Sequence, residues 1–267
     1  LGGSWNYKEL ESDCGKLNWA LMICPPLRPM LHPLYAWLMA LKPTTGSGRP
    51  SKEIKLLAHT ALQVLNDDPS PIIPIEAMAN IHSATDAGAN ETEATIGGWY
   101  SEEEHPNKNQ VHWFIIKLSK SKHPWAFEKL TPQQSISAIE LYGTMILHKF
   151  LATQKHLTNN TQLPIRTDNQ GNAYNVLNYK ANKWPNYGIL LELSLTHYHT
   201  SSRASITHTH RENNTWSDQL THCDTSGFDL NKQIHNIENQ ITFHIFDKLQ
   251  EVHKSYQPRQ ITQPKLR

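Results

Sequence analysis

The sequence predicts a mixed α/β fold: a five-stranded mixed sheet flanked by helices and preceded by a small helical segment. Three observations predict it. Runs of β-formers with period-two alternation occur only after Ile75. Apolar residues at three- and four-residue spacing mark helices both before that point and between the runs. A Pro-rich stretch ending at Pro74 separates the two patterns.

Leu31, Leu34, Tyr35, Leu38 and Leu41 line one face of a first helix, and Ile54, Leu57, Ala61, Leu62 and Leu65 one face of a second. Asn66-Asp67-Asp68-Pro69 ends that helix, because Pro cannot continue the hydrogen-bond ladder. Strands follow at Ile81–Asp86, Ala94–Tyr100 and Val111–Leu118. The apolar positions Ile136, Ile139, Tyr142, Met145 and Ile146 make Pro132–Leu151 a helix. Leu163–Thr167 is the fourth strand, Asn172–Tyr179 and Tyr187–His199 are helices, Ala204–Thr207 is the fifth strand, and Trp216–His222 opens a further helix. The order is βββαβααβα. Beyond Phe228 the chain turns polar, with one helix expected over Ile241–Val252, and this stretch is expected to order within a larger assembly. The domains expected are thus 1–77 helical, 78–225 α/β, and 226–267 a polar C-terminal tail.

Composition narrows the function. With 38% hydrophobic and 18% charged residues among 267, a packed core is expected rather than disorder. A net charge of +1 gives no global attraction for nucleic acid, so such binding must come from local sites. Cys14, Cys24 and Cys223 form no CxxC pair, which predicts a reducing, intracellular compartment, cytoplasm or nucleus. The most apolar stretch, Leu17 to Leu41, is broken by four prolines and Arg28, so no membrane span is expected. The chain begins with Leu1, as expected of a piece of a longer protein.

Four acids stand where strands end or helices face inward: Asp86, Glu140, Asp168 and Asp218. Glu140 lies in the apolar run Ala138-Ile139-Glu140-Leu141. A carboxylate in such surroundings is costly unless paired, and a shared divalent cation would pair several. Phosphodiester hydrolysis needs such a site. It must activate water, stabilise charge at phosphorus and stabilise the leaving oxyanion, which two Mg²⁺ ions about 3.5–4 Å apart can do.

At these residues the chain resembles the ribonuclease H family, in the form fused to retroelement reverse transcriptases. The resemblance covers roughly residues 78–225. Thr85-Asp86-Ala87-Gly88 matches the family's first-strand Asp, Gly97-Gly98-Trp99-Tyr100 its second strand, Ile139-Glu140-Leu141 its helical Glu, and Thr167-Asp168-Asn169 its Thr-Asp-Asn. The closing signature, a His, an Asn six residues on and an Asp four beyond, is His208, Asn214 and Asp218. Ser217 replaces the family's usual Ala, and Arg211 and Glu212 stand where a Gly is usual. The resemblance implies a ribonuclease H-like fold and an enzyme, an endoribonuclease cutting the RNA strand of an RNA–DNA hybrid with two Mg²⁺, for which Mn²⁺ can substitute. Asp86, Glu140, Asp168 and Asp218 would be its metal-binding and catalytic set, and His208 its mobile proton-transfer residue. Asn169 and Asn214 would hold the metal loop or reach the hybrid's minor groove. The alternative is an inactive ribonuclease H-like nucleic-acid-binding or assembly module.

Further residues invite weaker readings. An insertion is expected around Ser119 to Gln133, where Lys117, Lys120, Lys122 and His123 would contact the hybrid's phosphates. Trp99, Trp113 and Trp125 are expected in the core rather than stacked on nucleotides. His197, His199, His208 and His210 form His-x-His pairs, but without a cysteine nearby and with the first pair on a helix they do not read as zinc ligands.

Near the N-terminus, Gly15-Lys16-Leu17-Asn18-Trp19-Ala20 and Pro25-Pro26-Leu27-Arg28-Pro29 resemble the thumb/connection stretch joining polymerase to nuclease in these enzymes. The implied partner is the polymerase portion of the same polyprotein. Polymerase chemistry needs adjacent Asp residues on a β-turn. The one adjacent pair, Asp67-Asp68, sits at a helix end, so no DNA synthesis is expected from this chain.

Overall fold

A computed structural model describes residues 5–22, 25–41, 47–67, 77–154, 160–181 and 183–254. The Pro-rich stretch to Pro74, Asp68 and residues 255–267 lie outside them. The long strands are β1 (His82–Ala89), β2 (Ala94–Ser101), β3 (His112–Lys117), β4 (Thr161–Thr167) and β5 (Ser202–His208). β1 pairs antiparallel with β2, and β2 with β3, while β4 runs parallel to β1 on one side and to β5 on the other. The spatial order is therefore β3-β2-β1-β4-β5, a five-stranded mixed sheet as expected. The two-residue strand Ala77–Met78 adds a sixth member, parallel to β4.

The helices are α1 (Tyr7–Ala20), α2 (Leu31–Leu41), α3 (Lys52–Asn66), α4 (Ile136–Thr153), α5 (Gln170–Asn178), α6 (Asn186–Thr200), α7 (Thr215–Thr221) and α8 (Phe246–Lys254). Ser51 caps α3 by accepting the Ile54 amide, and Asp67 closes it as the sequence break predicts. α4 is buried continuously from Ala138 to Leu151, and α6 from Tyr187 to His197. Such all-round burial makes them interior helices, each buried Leu or Ile contributing about 1.5–3 kcal/mol. A Cβ at Gly143 would lie 2.7 Å from Ile96, so this glycine lets α4 press directly on β2.

Leu21, Leu27, Met30, Leu57 and Val64 share one apolar cluster with α4 and α6, so the amino-terminal helices pack on the α/β core. Among the described residues, no helix is long and apolar enough to cross a membrane.

The expectation that the stretch beyond Phe228 waits for a larger assembly is corrected for residues 229–254; residues 255–267 lie outside the described residues. Ile237, Ile241, Ile245, Phe246 and Leu249 are buried in the main cluster, and the helix runs Phe246–Lys254. Polar composition hid these apolar anchors. The segment starts beside β3, where the Ile234 amide donates to the Trp113 carbonyl at 2.7 Å. It ends against α3, where His253 Nε2 lies 3.3 Å from Glu53 Oε1.

Candidate metal centre

Asp86 sits on β1 opposite Gly97 of β2. A Cβ at Gly97 would come 2.5 Å from the Ser217 carbonyl and 2.6 Å from Leu220 Cβ, so the glycine is what lets α7 lie on the sheet beside Asp86. Asn214, at the start of α7, donates its amide to the Thr85 carbonyl at 3.2 Å and is 2% exposed. Its side chain faces inward and ties α7 to the residue before Asp86. Asp168 follows β4, which the parallel pairing sets next to β1. Glu140 comes from the second turn of α4, which packs against β1 and β2.

This convergence puts one carboxylate oxygen each from Asp86, Glu140 and Asp168 within 4.8 Å of one another. One Asp86 oxygen accepts the Ala87 amide at 2.7 Å. Asp168 Oδ1 is buried without a hydrogen-bond partner. Burial pushes the Asp86 carboxyl up to about 7, and the Asp168 charge adds to it. Burial likewise raises Glu140 to about 7, reinforced by the charges of Asp168 and Asp86 and opposed by a hydrogen bond from Asn169. Three hard oxygens, mutual repulsion and an orphaned acceptor fit a divalent cation such as Mg²⁺.

The other expected site residues surround the trio. Asp218 stands outside it, accepting from Arg211 Nη2 at 3.4 Å with His222 Nε2 at 3.9 Å, though its charge still bears on Asp86. Arg211, in the loop between β5 and α7, places a positive charge that lowers both Asp86 and Glu140. His208 ends β5 in register with Thr167, one residue before Asp168, and is exposed. Asn169 caps α5 by accepting the Asn172 amide at 3.0 Å.

Several secondary expectations are settled by burial. Trp99, Trp113 and Trp125 are 5%, 0% and 1% exposed, core residues as anticipated. His123 is not available to a phosphate. It is 3% exposed, its Nδ1 accepts the Ser119 amide and its Nε2 meets Glu238, which also binds Lys122. His197 is held by Tyr179, and among the described residues no histidine joins a metal-ligand group.

Sequence reasoning missed Asn172 and Ser137. Asn172 is 1% exposed and reaches both Ser137 and Glu140. Its one sequence signal is position, one helical turn beyond Asp168.

Fold and site together define a mixed α/β protein whose sheet carries a carboxylate centre suited to a divalent cation. The chain is similar to ribonuclease H1 from the halophilic archaeon Halobacterium salinarum NRC-1, a crystal structure. The identity is 14% over 54% of this chain and 96% of that one, with a TM-score of 0.37. Comparison with protein families finds no match, and comparison with curated proteins finds none.

Proposed function

We propose that this chain is a metal-dependent endonuclease that hydrolyses the RNA strand of RNA–DNA hybrids, acting inside the cell as part of a retroelement reverse transcriptase alongside its polymerase portion. The observation that carries this reading is the carboxylate trio itself, with Asp168 Oδ1 buried and unpartnered among like charges. Nuclease chemistry explains why a fold would hold such an unfavourable group of acids.

In this reading Asp86 and Asp168 hold Mg²⁺ most directly, while Glu140 and Asp218 each complete one ion's shell. When bound, the metal supplies activation of water and charge stabilisation at phosphorus. The chain's own residues do the rest. Asp86 is fixed in direction by the Ala87 amide. Arg211 sets a positive charge over the exposed side of Asp218. His208, exposed at the end of β5, moves a proton to the leaving group or helps product depart. A groove beside α4 and α5 is lined by Lys129, Lys180 and Lys183 with Tyr174 and Trp184, a basic and aromatic surface suited to a nucleic-acid backbone. Shape and 2′-OH contacts would select the hybrid.

The test is cleavage of an end-labelled RNA–DNA hybrid by the full chain with Mg²⁺ or Mn²⁺, beside Asp168→Asn. Internal cuts confined to the RNA strand and lost in the variant are expected. Hybrid binding with no cutting would overturn the assignment in favour of a non-catalytic binding module.

A further inference from the structure

We infer that Asn172 is the positioning residue that aims the Glu140 carboxylate at the bound cation. The inference rests on the metal reading of the trio and goes beyond it, since it concerns how one ligand is held.

Glu140 is 9% exposed, on a helix whose neighbouring side chains are apolar. A glutamate ends in rotatable bonds, and fixing them costs entropy that some other group must offset. The side-chain amides of Asn169, the cap of α5, and Asn172, in its first turn, supply the restraint. Asn169 hydrogen-bonds Glu140 from the cap position. Asn172 Nδ2 has two hydrogens, one given to the Ser137 carbonyl at 2.8 Å and the other to Glu140 Oε2 at 3.4 Å. Its Oδ1 accepts the Ser137 hydroxyl at 3.1 Å, and its backbone amide donates to Asn169 Oδ1 at 3.0 Å. The side chain is therefore locked from both ends before it touches Glu140.

The connectivity matters as much as the distances. Ser137 and Glu140 lie one turn apart on α4, so Asn172 grips α4 at two successive points. Asn172 itself lies four residues after Asp168. One short helix turn thus couples the Asp168 ligand to the direction of the Glu140 ligand. At 3.4 Å the contact to Oε2 is long, and its role is to orient the carboxylate. An acid at 172 would add a charge beside two carboxyls already raised to about 7, and an aliphatic residue would supply no donor. Asparagine is the small residue that provides donors without charge. Outer groups of this kind tune metal sites by holding their ligands.

The test is Mg²⁺ binding by calorimetry on the full chain, with hybrid-cleavage kinetics on the same samples. Asn172→Leu keeps side-chain volume and removes the amide. It is expected to weaken Mg²⁺ binding by about 10–100-fold, with kcat falling while KM for the hybrid holds. Ser83→Ala, which removes another buried hydrogen bond of the sheet (Ser83 hydroxyl to Pro164 carbonyl, 2.7 Å), is expected to lower stability and leave Mg²⁺ affinity unchanged. Where Asn172→Leu does not fold, Ser137→Ala replaces it, freeing Asn172 Oδ1 and giving a smaller loss of affinity in the same direction. Wild-type affinity in the folded variant would overturn the inference. Absence of Mg²⁺ binding in the wild-type chain would instead overturn the metal reading on which it stands.

Discussion

Two buried carboxylate sites in this protein face opposite electrostatic conditions. Glu238, in the carboxy-terminal segment, has a side chain 8% exposed, comparable to Asp86 and Glu140. Its Oε1 accepts Tyr142 Oη at 2.7 Å and His123 Nε2 at 2.8 Å, and its Oε2 accepts Lys122 Nζ at 2.8 Å. Burial raises its pKa, but the His123 hydrogen bond and charge, with the bonds from Lys122 and Tyr142, outweigh it and hold the carboxyl at about 2. Asp86 and Glu140 suffer the same burial with few donors and several like charges, and sit at about 7. The protein evidently can satisfy a buried acid from its own side chains. At the trio it does not, and that contrast marks the trio as a place for a cation from solution.

A third acid extends the comparison and gives the largest expected effect. Glu192 is fully buried on α6. It accepts Lys149 Nζ at 2.6 Å and the amides of His244, Ile245 and Phe246 at the start of α8. Lys149 and the amides keep its carboxyl low against the opposing effect of burial. Glu192→Ala would strand the Lys149 charge and three backbone donors, so it should cost about 3–5 kcal/mol in urea unfolding. A cost below about 1 kcal/mol would mean that this network does not anchor α8.

Glu238→Gln is the next step down. The amide keeps the shape, weakens the ion pair with Lys122 and turns one oxygen into a donor, for an expected loss of about 1–3 kcal/mol. The sign with pH follows from the lowered value. Glu238 stabilises the fold above its ordinary value near 4.5, and that contribution fades as pH falls toward about 2. In the variant this acid limb of the stability curve should flatten.

Asp168→Asn should behave in the opposite sense. Removing one charge from three that repel should leave metal-free stability unchanged or raise it by about 0.5–1 kcal/mol, although cutting is lost. A loss of stability like that of Glu238→Gln, measured by the same unfolding, would show that the trio is internally satisfied and erase the contrast.

Much of this was legible in the sequence, for local reasons. β-former alternation gave the strands within a few residues, and the acids stood out because Asp86 and Asp168 come where strand patterns end and Glu140 interrupts an apolar helical run. β1 runs on to Ala89, past the Asp86 where the pattern fades, because pairing with Ala94 on β2 continues the ladder. The carboxy-terminal segment was misjudged since its anchor, Glu192, lies some fifty residues away and reads in isolation as one acid in an apolar helix. Asn172 was invisible for a similar reason. A helical Asn normally reads as surface, and only the α4–α5 packing buries it. His123 read as a surface cation until Glu238 arrived from the far end of the chain.

The most direct test of the central claim is chemical unfolding of the full chain at pH 5 and pH 8, with and without Mg²⁺, beside Asp168→Asn. Asp86 and Glu140 are raised in the folded state from ordinary values of 3.8 and 4.5 to about 7. Their contribution to metal-free stability is therefore fully present below about 4 and lost as pH rises through about 7. Mg²⁺ needs the ionised carboxylates, so its effect grows over the same interval. At pH 8 it should add about 2.7 kcal/mol when present at a hundred times its dissociation constant, should add little at pH 5, and should add little to Asp168→Asn at either pH. An equal gain in wild type and variant, or no gain at pH 8, would contradict the account.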